Sequence, residues 1–255
     1  FSKDEVSWQN NKNYKAMRKS ENFNKRIWRS VESKNNLMSQ LTFKFPFKTK
    51  YYEQDFYVSS NNFSAYKLIE SWPSWPSKWI NIFGATGSGK THLSKILEKK
   101  IDKIKIIDAN EIDNQSVVEI NNLKCVIIDN FKNNIDEKLF YSFLNQTKQL
   151  DNYVVINSIE PLNHSNFNLE DLKSRIRSFV LIGIELPTDD LLKVIISKTF
   201  SDKQINLSPK ISEYIIKNVE RSYEKMFKLL KDIDELSLTS GKQININLVK
   251  KVIKQ

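Results

Sequence analysis

The stretch Gly84-Ala85-Thr86-Gly87-Ser88-Gly89-Lys90-Thr91 constrains this chain more than any other. It reads G-x-x-x-x-G-K-T, a loop built to hold phosphate. Glycines tolerate the left-handed backbone that lets successive N–H groups curl around an anion. Lys90 adds a positive charge for the outer phosphates, and the Thr91 hydroxyl is suited to ligate Mg²⁺. His92 follows directly and is counted with the loop. The residue types therefore predict the phosphates of a nucleotide, with Mg²⁺, as the ligand.

The flanks agree with that reading. Trp79-Ile80-Asn81-Ile82-Phe83 is a β-rich run ending at the loop, and Leu93, Ile96, Leu97 and Ile101 follow at helical spacing. The chain holds only 5 Gly, and Gly84, Gly87 and Gly89 are three of them. A chain so poor in glycine has concentrated it where the backbone must bend around a ligand.

Downstream, apolar runs alternate with helical patterns. Ile104–Asp108, Leu123–Asp129, Tyr153–Asn157 and Phe179–Leu186 read as strands, and Leu139, Phe140, Phe143, Leu144 and Leu150 mark a helix. Continuous apolar strands between helices predict an α/β fold with a five-stranded parallel sheet covered on both faces. From Pro187 the strand signal stops. Leu191, Leu192, Ile195 and Ile196 share a helical face, and Ser208-Pro209 opens another helix. A long pattern from Met226 to Leu236 stops at Gly241, and Leu248, Val249, Val252 and Ile253 close the chain. Residues 187–255 are expected to form a small all-helical domain.

The N-terminal part is less decisive. Residues 1–39 hold nine Lys/Arg against four Asp/Glu and few aliphatics, which predicts a basic, disordered tail. Met38 is an alternative native start. Gln40-Leu41-Thr42-Phe43-Lys44-Phe45-Pro46-Phe47 alternates like an edge strand, while Gln40, Leu41, Phe43 and Phe45 also resemble the short peptide by which bacterial replication proteins bind the sliding clamp. The prolines of Ser71–Ser77 predict a loop whose tryptophans, Trp72 and Trp75, cover the sheet edge. The net charge of +10 suits nucleic acid, reached directly or through a partner, and equally the Lys/Asn/Ile bias of an AT-rich genome. The single Cys125 excludes an intramolecular disulfide and fits the reducing cytoplasm. No apolar run reaches the length of a membrane span, and the first residues lack a signal-peptide pattern.

Two further positions carry chemistry. Asp129 ends an apolar strand after the phosphate loop, where a carboxylate holds the Mg²⁺ shell. Its neighbour is Asn130 where a second acid would polarise water, so slow intrinsic hydrolysis is expected. Arg175, in Leu172-Lys173-Ser174-Arg175 with Arg177 close by, reads either as a surface arginine or as a finger offered to a neighbour's γ-phosphate.

Asp55 to Phe63, the phosphate loop, Cys125 to Asn130 and Leu172 to Arg175 follow one another as in the AAA+ module of the DnaA family of replication initiators, a resemblance covering residues 40–255. It implies a P-loop AAA+ five-stranded parallel sheet at 40–186, a helical lid at 187–255 and ADP or ATP as the bound nucleotide. A clamp-like peptide ahead of the module, and an end at the lid without a DNA-reading helix-turn-helix domain, resemble the Hda branch of that family. The branch implies partners: the sliding clamp, the DnaA initiator and possible further copies of the chain. It also implies that Arg175 is a trans-acting arginine finger and that Asn157, or Ser158 next to it, is the sensor 1 residue. Glu224, with Lys225 beside it, falls where the family's lid carries an arginine, and Ile159-Glu160-Pro161 lacks the usual Asp-Arg pair. Competing expectations are a DnaC-type helicase loader, a truncated initiator ATPase and a P-loop phosphotransferase with a small-molecule substrate.

Overall fold

The computed structural model describes residues 53–254. Gln40, Leu41, Phe43 and Phe45, and the tail before them, lie outside the described residues.

Five strands form one sheet: β1 (Trp79–Gly84), β2 (Ile104–Asp108), β3 (Cys125–Phe131), β4 (Tyr153–Ser158) and β5 (Val180–Ile184). Their order is β2-β3-β4-β1-β5, and every neighbouring pair is parallel. Successive side chains along a strand face opposite ways, so each strand feeds two cores. Val126, Ile128, Val154 and Ile156 pack on one face against Phe140, Phe143 and Leu144 of α4 (Glu137–Gln149) and Leu172 and Ile176 of α5 (Glu170–Ile176). Ile80, Ile82, Cys125, Ile127 and Val155 pack on the other, against α1 (Phe63–Glu70) and α2 (Lys90–Lys100). The short α3 (Asn114–Glu119) precedes β3. Both faces are covered, as the unbroken apolar runs predict.

Trp72 and Trp75 do cover the sheet, but at the start of the central strand and not at an edge. Their rings lie 4.3 and 5.6 Å from that of Tyr153, which opens β4, and Trp75 Nε1 donates to the Leu68 carbonyl at 2.7 Å.

Four helices complete the chain: α6 (Asp189–Ser201), α7 (Pro209–Asn218), α8 (Tyr223–Ser240) and α9 (Ile246–Ile253). They share a core of their own, with Leu192, Ile196, Phe200, Ile215, Met226, Leu230, Ile233 and Val249 buried together. Helix starts are set by caps at Thr188, Ser222 and Asn245, whose side chains accept from the N3 backbone. Gly241, at φ 62°, ends α8 in the left-handed conformation that a glycine adopts without strain.

The lid is tied to the sheet through one buried tyrosine. Asn61 Nδ2 donates to Tyr223 Oη at 2.6 Å, and Tyr223 Oη donates to the Glu185 carbonyl at 3.3 Å. Glu185 lies in the link between β5 and α6, so the bond pins α8 beside the hinge of its own domain. Lys198 and Asp55 add an ion pair at 2.6 Å between the two layers.

Candidate nucleotide-binding site

Parallel strands end together, and the loops after them meet at one rim. The end of β1 turns into α2 through the glycine loop, with Gly87 at φ 82° and Gly89 at φ 99°. α2 starts at Lys90 and so points its N-terminus at the loop. Beside it lies a cavity of about 600 Å³ lined by Thr86, Gly87, Gly89, Lys90, Thr91, His92, Asp129, Asn130 and Asn157, among others. The volume is that of a small-molecule site. Gly84, Ala85 and Ser88 are not among the residues that line it. The carbonyls of Gly84 and Ala85 accept from Lys90 Nζ at 2.6 and 3.0 Å. Burial pulls the Lys90 ammonium below the ordinary lysine pKa, and the nearby Asp129 opposes that shift.

Asp129 is the hub of the floor. Its Oδ2 accepts from Thr91 Oγ1 at 2.8 Å, and its Oδ1 from Asn157 Nδ2 at 3.0 Å and from the Asn130 backbone at 3.0 Å. Asn157 Nδ2 also donates to Ser94 Oγ at 2.8 Å. Asn157 is fully buried, and its Oδ1 has no partner among the described residues. Ser158, the other sensor 1 candidate, is committed elsewhere: it accepts from Asn81 Nδ2 and donates to the Glu160 carbonyl.

The β3–β4 register shifts between Ile128 and Phe131, and Asn130 sits there at φ 56°. Such a bulge re-aims a side chain. Here it turns the Asn130 amide towards Asp108 at the end of β2, with Nδ2 donating to Asp108 Oδ2 at 2.7 Å. That bond, with one from the Asn110 backbone, holds the Asp108 carboxyl below the usual range. Asp108 was not among the expected site residues. Its 22-residue separation from Asn130 becomes a contact only once β2 pairs with β3.

The lid residues nearest the loop are aromatic. A Cβ on Gly87 would lie 3.2 Å from Tyr223 Cβ and 3.4 Å from the Phe227 ring, and Phe227 lines the cavity. Glu224 is exposed, and Lys225 pairs with Glu220. Across the turn from 223 to 227, Tyr223 is buried and the partly exposed Phe227 faces the loop, while Glu224 and Lys225 are exposed.

These residues fit a nucleotide with Mg²⁺. Gly87 and Gly89 are left-handed, a half-buried ammonium bonds to loop oxygens among the described residues, and a hydroxyl and a carboxylate stand 2.8 Å apart. No cluster of three His, Cys, Asp or Glu able to hold a metal occurs among the described residues. Mg²⁺ is ordinarily held by one or two protein oxygens together with phosphates and water, as Thr91 and Asp129 would allow.

Arg175 lies elsewhere. It is half-buried in the last turn of α5, and its Nε donates to Asn145 Oδ1 of α4 at 2.8 Å. The cleft around it is lined by Lys78 and Trp79 at the start of β1 and by Asp151 and Asn152 just ahead of β4. Those are the beginnings of the strands whose ends carry the phosphate loop. β1 has six residues, a separation of roughly 20 Å at the strand rise per residue.

Comparison with known proteins follows the same division. Residues 189–253 match the family model described as "Hda, lid domain". The chain is 30% identical over 236 residues to the chromosomal replication initiator protein DnaA of Buchnera aphidicola subsp. Cinara cedri, covering 80% of this chain and 52% of that protein. It thus spans about half the length of the curated relatives it matches. Domain III of the Thermotoga maritima replication initiation protein DnaA superposes with a TM-score of 0.65 at 18% identity, covering 82% of this chain and 98% of that one. AMPPCP-bound DnaA from Aquifex aeolicus gives 0.61 at 17% identity, covering 76% and 68%. No helix among the described residues is long and apolar enough to cross a membrane.

Proposed function

Because the chain carries an AAA+ module of the DnaA/Hda family, we propose that it is a nucleotide-binding regulator acting on a second AAA+ subunit: docked on the sliding clamp, it accelerates hydrolysis of ATP held by a DnaA initiator. One observation carries this reading. The phosphate pocket and Arg175 occupy opposite ends of the same strands, so Arg175 cannot serve its own pocket.

The pocket is a holding site. An adenine nucleotide, the ligand class suggested by the AMPPCP-bound relative, would be held by the loop N–H groups and Lys90. Mg²⁺ would be held by Thr91 and Asp129 and would neutralise phosphate charge. Asn157, bonded to Asp129 on the pocket wall, would sense an outer phosphate. Asn130 supplies an amide, which accepts no proton from water, so the site turns over slowly on its own.

Arg175 has the opposite assignment. Its Nε is fixed on Asn145, which leaves the two terminal nitrogens of the guanidinium for a partner. In the neighbouring subunit, water oxygen bonds to the γ-phosphorus as the bond to the β–γ bridging oxygen breaks. The guanidinium neutralises charge that develops on the transferring group. Gln40, Leu41, Phe43 and Phe45 would seat the chain on the clamp, with the two phenylalanines in an apolar pocket. DNA enters through the clamp.

The test is decay of DnaA-bound ATP with the full chain, the clamp and primed DNA, together and each omitted in turn. Acceleration that needs all of them supports the reading. Decay unchanged by the full chain in the complete mixture overturns it.

A further inference from the structure

Arg175 does not stand alone in its cleft. Two adjoining clefts, of about 420 and about 430 Å³, both include Arg175 and both include Lys148. Lys148 sits in the last turn of α4, one helical turn beyond Asn145, the residue that holds Arg175 Nε. The third cation there, Lys78, is neutralised by an ion pair with Asp151. Lys148 is exposed, and its ammonium makes no ion pair or hydrogen bond among the described residues, while its carbonyl accepts from the Asp151 N–H at 3.2 Å. The cleft therefore presents two uncompensated cations, one rigid and half-buried, the other exposed at the rim.

We propose that Lys148 is a second cation of the trans-acting site, guiding the nucleotide phosphates of a neighbouring AAA+ subunit onto Arg175. The inference rests on the regulatory reading above and deepens it. The two residues divide the work by position. Arg175, fixed by Asn145, meets the charge that develops in the transition state and governs the maximal rate. Lys148, exposed at the rim, acts on encounter, because rim charges change association and its salt dependence more than the bound chemistry. A polyphosphate with its Mg²⁺ still carries net negative charge, so it is the fitting occupant of a cleft with this balance.

The experiment titrates the full chain against DnaA loaded with ATP, on clamp-bearing DNA, and separates the half-saturating concentration from the maximal rate. Lys148→Ala is expected to raise the half-saturating concentration about fivefold, the upper range for one exposed charge, with the maximal rate unchanged. Lys148→Glu should raise it further, to about 25-fold if removal and reversal add. Lys148→Arg should restore the wild-type curve, and the salt dependence of Lys148→Ala should be shallower than wild type. If wild type stimulates and Arg175→Ala does not, yet Lys148→Ala and Lys148→Glu both match wild type, the assignment of Lys148 is wrong and the regulatory reading stands. If wild type itself gives no stimulation, the regulatory reading fails and takes this inference with it.

Discussion

The two ends of the α/β layer differ in how their polar groups are satisfied. At the carboxyl ends of the strands, Lys90 is folded onto loop carbonyls and Asp129 accepts from Thr91, Asn130 and Asn157. Asp108 in turn accepts from Asn130 and Asn110. At the amino ends, Arg175 has one anchor and Lys148 none among the described residues. A polar network already formed around the loop suits retention of a ligand, and the unpartnered Asn157 Oδ1 is the one buried side-chain acceptor left open among the described residues. An anchored guanidinium with unused donors suits recognition of something that arrives from outside. On the proposed reading, the same sheet separates holding from acting.

The largest effect that would test this division is at Arg175. Arg175→Ala should lower stimulated hydrolysis by about 10³–10⁵, the range of arginine fingers, with nucleotide affinity of the chain itself unchanged. Arg175→Lys should restore little, because a point charge does not reproduce the planar fork. Loss of the chain's own nucleotide binding in either variant, read by calorimetry, would place Arg175 in the wrong half of the comparison.

Next in size is Lys90→Ala. Removing the one cation that lines the loop itself should weaken ADP and ATP binding by about 100-fold, the loss of one or two charge-assisted hydrogen bonds. Isothermal titration reads it, and unchanged affinity would remove the phosphate pocket from the account.

Much of this division was legible in the residues, and the reasons are local. The glycine loop declares itself because only glycine serves at φ 82° and 99°. The five strands declare themselves because a strand buried on both faces is apolar throughout. What stayed hidden depends on pairing or on brevity. α5 has seven residues with only Leu172 and Ile176 buried, too few for a period, so Arg175 could be placed between two strands but not on a helix. α3 is capped by Asp113 and Ser116, an unusual capping box that spacing alone does not announce. The Asn130–Asp108 and Arg175–Asn145 bonds join residues 22 and 30 positions apart, and both need tertiary neighbours that sequence does not order. On α8, Glu224 at the position where the family carries an arginine gave no reason to expect a lid contact to phosphate, and it did not reveal that Phe227, one turn on, lines the cavity.

Smaller effects sharpen the boundary between pocket and lid. In Gly89→Ala the new methyl lies 2.9 Å from the Phe56 ring at a left-handed φ. Strain of about 2 kcal/mol is expected, a fall in melting temperature of roughly 4–8 °C by scanning calorimetry. A fall no larger than that of an exposed control such as Lys228→Ala would mean that the loop tolerates a side chain.

Tyr223→Phe should be the mildest, removing the hydroxyl that joins Asn61 to Glu185, for about 1 kcal/mol in chemical denaturation. It also carries a pH signature. Burial pushes the Tyr223 phenol up to about 12, above its ordinary value of 10.0. Its contribution is complete below about pH 10 and is lost as pH rises towards 12, because the unfolded chain gives up its proton first. The phenylalanine variant should lose stability less steeply across that window. Parallel curves for the two proteins would show that the lid is not latched there.

The most direct measurement follows phosphate release from ATP bound to DnaA, with the regulator preloaded with ADP so that its own pocket has nothing to hydrolyse. Wild type should accelerate release on the loaded clamp, and Arg175→Ala should leave it at the rate of DnaA alone. Equal acceleration by the two would contradict the claim that this arginine acts across the subunit boundary.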